Sequence, residues 1–188
     1  MTSKVLSDEN LLRSVVGNYY PEKRILSIEE FESGNINNTY KVNLVDSIET
    51  KSFVLQNINN YVFSNPELIT QNWKTISDHI QPKLYQPQES FLERRWETPM
   101  LIPITNLDKY VCKYSDRFWR AITYIDLSKN YDSVLDPNHA YEIGLALGYF
   151  HYLLLDLPNK KLFTSLANFH DTPLLLSSLD SRASNQQT

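Results

Sequence analysis

Glu32-Ser33-Gly34-Asn35-Ile36-Asn37-Asn38-Thr39-Tyr40-Lys41-Val42-Asn43-Leu44-Val45 is the stretch from which the fold is read. In its second half Tyr40, Val42 and Leu44 alternate with polar neighbours, the period of a half-buried strand. Its first half is glycine and asparagine, the residues that best tolerate left-handed backbone. Upstream, 24–31 is β-compatible. Downstream, after a polar turn over 46–50, Ser52-Phe53-Val54-Leu55-Gln56 reads as a third strand. The loop between the first two strands admits two readings. It is an ordinary hairpin loop built of turn residues, or a cradle whose backbone N–H groups approach phosphates.

Working outward, Ser7 can cap a helix whose apolar positions Leu11, Leu12, Val15, Val16 and Tyr19 recur at helical spacing before Pro21 stops it. Asn65-Pro66-Glu67 combines a cap, a first-turn proline and a first-turn acid, followed by Ile69, Trp73, Ile76 and Ile80. Pro82 and Pro87 are expected to close that helix. Three further β-like runs follow at 100–105, 110–114 and 118–125. Asp136-Pro137 opens a long helix running to about Leu155, with apolar residues all round its axis, which implies burial on several sides. Ser128-Lys129-Asn130 breaks the pattern between Asp126 and Asp136, the one plausible seam. The residues from 177 to 188 are mostly small and polar and are expected to be disordered. The order of elements gives an α+β fold.

The 188 residues carry 18 Lys+Arg against 22 Asp+Glu, a net charge of -4, which argues against nucleic acid as a partner. With 41% hydrophobic and 12% aromatic residues the chain is built to fold. A single cysteine, Cys112, forms no intramolecular disulfide and no zinc thiolate cluster. The histidines at 79, 139, 151 and 170 show no metal-ligand spacing, and no G-x-S-x-G elbow occurs. No apolar run approaches the length of a membrane span, so a soluble cytoplasmic protein with no membrane partner is expected.

Taken in order, several segments resemble the aminoglycoside phosphotransferase and choline kinase-like superfamily, and within it the N-acetylhexosamine 1-kinase group. They are Glu32 to Tyr40, Phe53 to Asn59 running into Val62-Phe63-Ser64-Asn65-Pro66-Glu67, Trp119-Arg120-Ala121-Ile122-Thr123-Tyr124-Ile125-Asp126, Gly144 to His151, and Asn168-Phe169-His170-Asp171-Thr172-Pro173. The resemblance implies a kinase-like nucleotide-binding N-lobe over 1–126, an antiparallel sheet with helices. A linker at 127–136 and the start of a helical lobe over 137–176 would follow. It implies ATP and Mg2+ as cofactors. On that reading Ser33, Gly34, Asn35, Ile36, Asn37, Asn38 and Thr39 cover the phosphates, and Tyr124, Ile125 and Asp126 form the hinge that meets adenine. Gln56 stands where kinases usually place a lysine. A neutral amide donates a hydrogen bond but supplies no charge, so phosphate binding would rest more on metal and loop. Glu67 reads as a first-turn helix acid. His170 and Asp171 would lie near the sugar site, although Asp171 serves equally well as a helix cap.

Phosphoryl transfer also needs a carboxylate beside the acceptor hydroxyl and ligands for magnesium, carried in this family by a His-x-Asp-x-x-x-x-Asn-like loop. Two residues beyond His79, His139, His151 and His170 stand Gln81, Tyr141, Leu153 and Thr172, so none opens that pattern. The expectation is therefore an N-terminal fragment of an ATP-dependent sugar phosphotransferase, N-acetylhexosamine-like in substrate. It is expected to be inactive alone and to offer an exposed apolar helix surface to a C-terminal lobe or second chain. A noncatalytic nucleotide- or partner-binding module is the alternative. No catalytic residue and no metal ligand is assigned.

Overall fold

A computed structural model describes residues 2–31, 36–46, 49–85, 94–169 and 171–185. The alternating segment becomes β2 (Asn38–Asp46), the middle strand of a meander with β1 (Arg24–Glu30) and β3 (Glu49–Ile58). β6 (Arg117–Thr123) pairs with the free edge of β3. Its own other edge is shared by β4 (Leu101–Ile102) and β5 (Val111–Tyr114). The result is an antiparallel six-stranded sheet, order β1-β2-β3-β6-β4, with β5 also on β6. β4 is far shorter than the 100–105 run because Pro103 has no N–H to continue the ladder. β5 and β6 are joined through Ser115 and Asp116, at φ 48° and 59°, the mirror-image turn that matches strand twist.

α1 (Thr2–Tyr19) begins ahead of Ser7 and not at it, since Lys4-Val5-Leu6 contains nothing to stop a helix extending backwards. Its apolar stripe lies on one sheet face: Val15, Val16 and Tyr19 are buried with Val42, Leu44, Phe53, Leu55, Trp119 and Ala121. This is the main core. The Tyr19 hydroxyl lies 2.8 Å from the Trp119 carbonyl and 3.2 Å from that of Tyr110. Burial, with Cys112 nearby, pushes its phenol far above the usual range. Thr105 satisfies two carbonyls at the helix end, giving its backbone N–H to Asn18 O at 2.9 Å and its hydroxyl to Tyr19 O at 2.8 Å.

α2 (Pro66–Leu84) starts as its sequence implies, with Asn65 Oδ1 accepting from the Leu68 N–H at 3.2 Å. Pro82 does not close it. A proline in the last turn removes a single N–H, and the helix runs on to Leu84; Pro87 lies outside the described residues. α3 (Pro137–Leu154) is capped by Asp136, whose carboxylate accepts from the His139 N–H at 2.8 Å. Its burial is narrower than its composition suggests. Only Tyr149 and Leu153 are buried, against Ile80, with Ile76, Leu84 and Trp96 beside them. Tyr141, Ile143, Leu147, Phe150 and Tyr152 stand exposed, the apolar surface expected of this helix.

A charged cluster fastens the end of α3 to α2. Lys83 donates to Asp156 and, at 2.8 Å, to the Leu153 carbonyl, while His79 Nε2 lies 3.0 Å from Asp156 Oδ1. Hydrogen bonding from Lys83, then His79, holds the Asp156 carboxyl at about 2, below the usual carboxylate range. Asn72 adds a two-way bond to the backbone of Phe163 at 2.7 and 2.8 Å. Residues 126–136, the expected seam, hold no helix or strand and are all exposed. The tail expected to be disordered is instead helical through Asn185, as part of α4 (Thr172–Asn185). Leu174, Leu175 and Leu176 fall in its first five residues, and leucine favours a helix. All its side chains from 172 to 183 are exposed. Among the described residues no helix is long and apolar enough to cross a membrane.

Candidate functional site

Strand alternation divides the sheet into two unlike faces. One holds the α1 core. On the other, register puts Thr39, Gln56 and Arg120 in a row across β2, β3 and β6, and Lys41, Val54 and Ile122 in the next row. Two residues of strand separate the rows, about 6.6 Å. The second row leads toward Tyr124, where the ladder has ended. Lys41 reaches over the Tyr124 ring, its Nζ 4.3 Å from the centroid.

The first row is one hydrogen-bonded chain. Arg120 Nε donates to Gln56 Oε1 at 3.0 Å, Gln56 Nε2 donates to Thr39 Oγ1 at 3.2 Å, and Thr39 Oγ1 donates to the Asn37 carbonyl at 3.3 Å. Arg120 is 6% exposed, and its guanidinium stacks on the Trp73 ring of α2 at 4.4 Å. No carboxylate pairs with it among the described residues. Loss of water around an uncompensated cation pulls its pKa down to about 10. A buried arginine without an anion is an unusual residue to keep in a strand otherwise apolar from Trp119 to Ile122.

The expected phosphate loop is in part within view. Ser33, Gly34 and Asn35 lie outside the described residues. Ile36 is exposed; Asn37 Oδ1 accepts from the Asn59 N–H at 3.0 Å, tying the loop to the end of β3. Asn38 opens β2 and donates to Glu30 at 3.3 Å. Thus Thr39 and Gln56 come together, with Asn37 behind them, and Tyr124 joins the same face through Lys41. Ile125 and Asp126 continue the chain from Tyr124, and the Ile125 carbonyl accepts from Ser128 Oγ at 2.8 Å. Leu127 follows at φ 63° with its side chain 92% exposed, a strained conformation for an apolar residue. Glu67 is exposed in the first turn of α2.

No family model matches the chain. The assignment of a function therefore rests on the residues themselves. His170 lies outside the described residues, while Asp171 caps α4, its Oδ1 accepting from the Leu174 N–H at 3.0 Å. Among the described residues no three His, Cys, Asp or Glu side chains converge as a metal ligand set would. Two residues of this face escape a reading by motif: Lys41 and Arg120. The parity that separates Tyr40, Val42 and Leu44 from their neighbours already puts Lys41 with Thr39. A lone arginine within Trp119-Arg120-Ala121-Ile122 is the signal for the other.

Proposed function

We propose that the chain binds ATP on the face of its sheet opposite α1. It would do so as the nucleotide-binding part of a small-molecule phosphotransferase of the aminoglycoside phosphotransferase and choline kinase-like kind. The acceptor class is a sugar such as an N-acetylhexosamine. In this reading the sheet with α1 and α2 is a kinase-like N-lobe and α3 opens a helical lobe. The observation that carries it is the pair of adjacent rows. Val54 and Ile122, beside Tyr124, give a base flat apolar support. Thr39, Gln56 and Arg120, next to the Asn37 loop, give donors and a positive charge to phosphates. A ribose spans the gap between them.

Positioning and electrostatics do most of the work in phosphoryl transfer, and these residues contribute binding and orientation. The carboxylate that takes the acceptor proton is assigned to none of them. ATP binding is tested by thermal unfolding. At about a hundredfold excess over Kd, ATP should add about 2.7 kcal/mol of stability, a rise of several degrees in Tm. An unchanged Tm at millimolar ATP would contradict the proposal. A second reading, a noncatalytic module that docks a partner, draws on the exposed apolar residues of α3 and α4.

A further inference from the structure

We propose that Arg120 and Gln56 work as a single anion-recognition unit, in which Arg120 fixes the Gln56 amide so that its second N–H, the one not given to Thr39, faces the phosphates of the nucleotide. The inference rests on the nucleotide reading above and deepens it by giving the two residues separate parts, orientation to Arg120 and phosphate contact to Gln56.

The hydrogen bonds determine the amide's orientation. A guanidinium has donors only, so its bond to Gln56 must end on Oε1, and Nε2 must then point toward Thr39. One N–H of Nε2 goes to Thr39 Oγ1. The other has no partner among the described residues and is available to an oxyanion beside half-buried Gln56. The amide is polarised by the cation behind it, as hydrogen-bond chains in a low-dielectric setting are. Arg120 itself is pinned by Trp73 on one side and, among the described residues, meets no carboxylate. An incoming phosphate would provide the missing negative charge, which makes the burial of Arg120 intelligible. As a mere strut between strands, the residue would not need to be charged.

Arg120 is thus a positioning residue and Gln56 the contact. The test is calorimetric titration of the 188-residue chain and two variants with ATP and with adenosine, which lacks phosphates. For Arg120→Met we expect about a 10- to 100-fold loss of ATP affinity with adenosine affinity within twofold of the unaltered chain. Gln56→Glu keeps the shape and gives Arg120 an ion-pair partner, so folding is secure. It should lose ATP affinity to a similar degree by repelling phosphate, again with adenosine retained. ATP affinity unchanged in both variants overturns the inference, as does a matching loss of ATP and adenosine, which would mark a purely structural role. If the unaltered chain binds neither ligand, the nucleotide reading itself fails and the inference with it.

Discussion

Trp119→Ala is expected to destabilise the chain by about 3–5 kcal/mol, a large share of the roughly 5–15 kcal/mol that holds a domain of this size together. Trp119 is fully buried at the centre of the main core, with Tyr40 at 6.2 Å between ring centroids and the α1 side chains above it. Its carbonyl also receives the Tyr19 hydroxyl, so a collapse here loosens the seat of α1. Trp119 Nε1 has no hydrogen-bond partner among the described residues. Trp119→Phe removes that buried orphan donor along with part of the ring, so it should cost clearly less than the alanine change. Urea unfolding of both variants checks this. A loss below about 1 kcal/mol for Trp119→Ala would show that the core is not organised around this side chain.

Leu153→Ala should act differently, releasing α3 without unfolding the sheet. Tyr149 and Leu153 are the buried residues of α3, and they belong to a cluster separate from the main core. Truncating a buried leucine costs about 2–5 kcal/mol, which exceeds what so small a contact offers, so opening becomes local. Hydrogen exchange should show protection lost over 141–154 and kept in β2, β3 and β6. Acid should loosen the same end of α3 to a smaller extent, because the Lys83–Asp156 pair is largely exposed. The Asp156 carboxyl sits at about 2 in the folded chain against an ordinary 3.8, so its contribution is complete above the ordinary value and is lost as pH falls from there toward 2. Asp156→Asn should abolish that acid-dependent opening. Uniform loss of protection through the sheet would mean that the two clusters unfold as one.

Local chemistry explains which parts of this fold were legible beforehand. Asn65 and Asp136 announce α2 and α3 because a side-chain cap followed by proline acts within four residues of chain. The alternation at 40–45 announces β2 for the same local reason. Where the reading overran, a tertiary or single-residue effect decided: Pro103 ends β4, while Pro82 fails to end α2 because it falls in the last turn. The α4 helix forms on leucines that the polar tail obscured. For the site, Gln56 was recognisable from its position on the third strand. Its partner Arg120 is 64 residues away, and only the β3–β6 register brings them opposite one another. That register is a property of the folded sheet, so the sequence pattern alone does not place a positive charge from β6 beside Gln56.

The most direct measurement is an NMR titration of the chain with ATP, following backbone amides and the Gln56 side-chain amide. Shifts are expected at Thr39, Lys41, Val54, Gln56, Arg120 and Tyr124, with the Gln56 Nε2 protons among the largest and the α1 residues Val15 and Val16 unmoved. Saturating ATP that leaves this face unchanged, or that shifts only α3 and α4, would contradict the proposal.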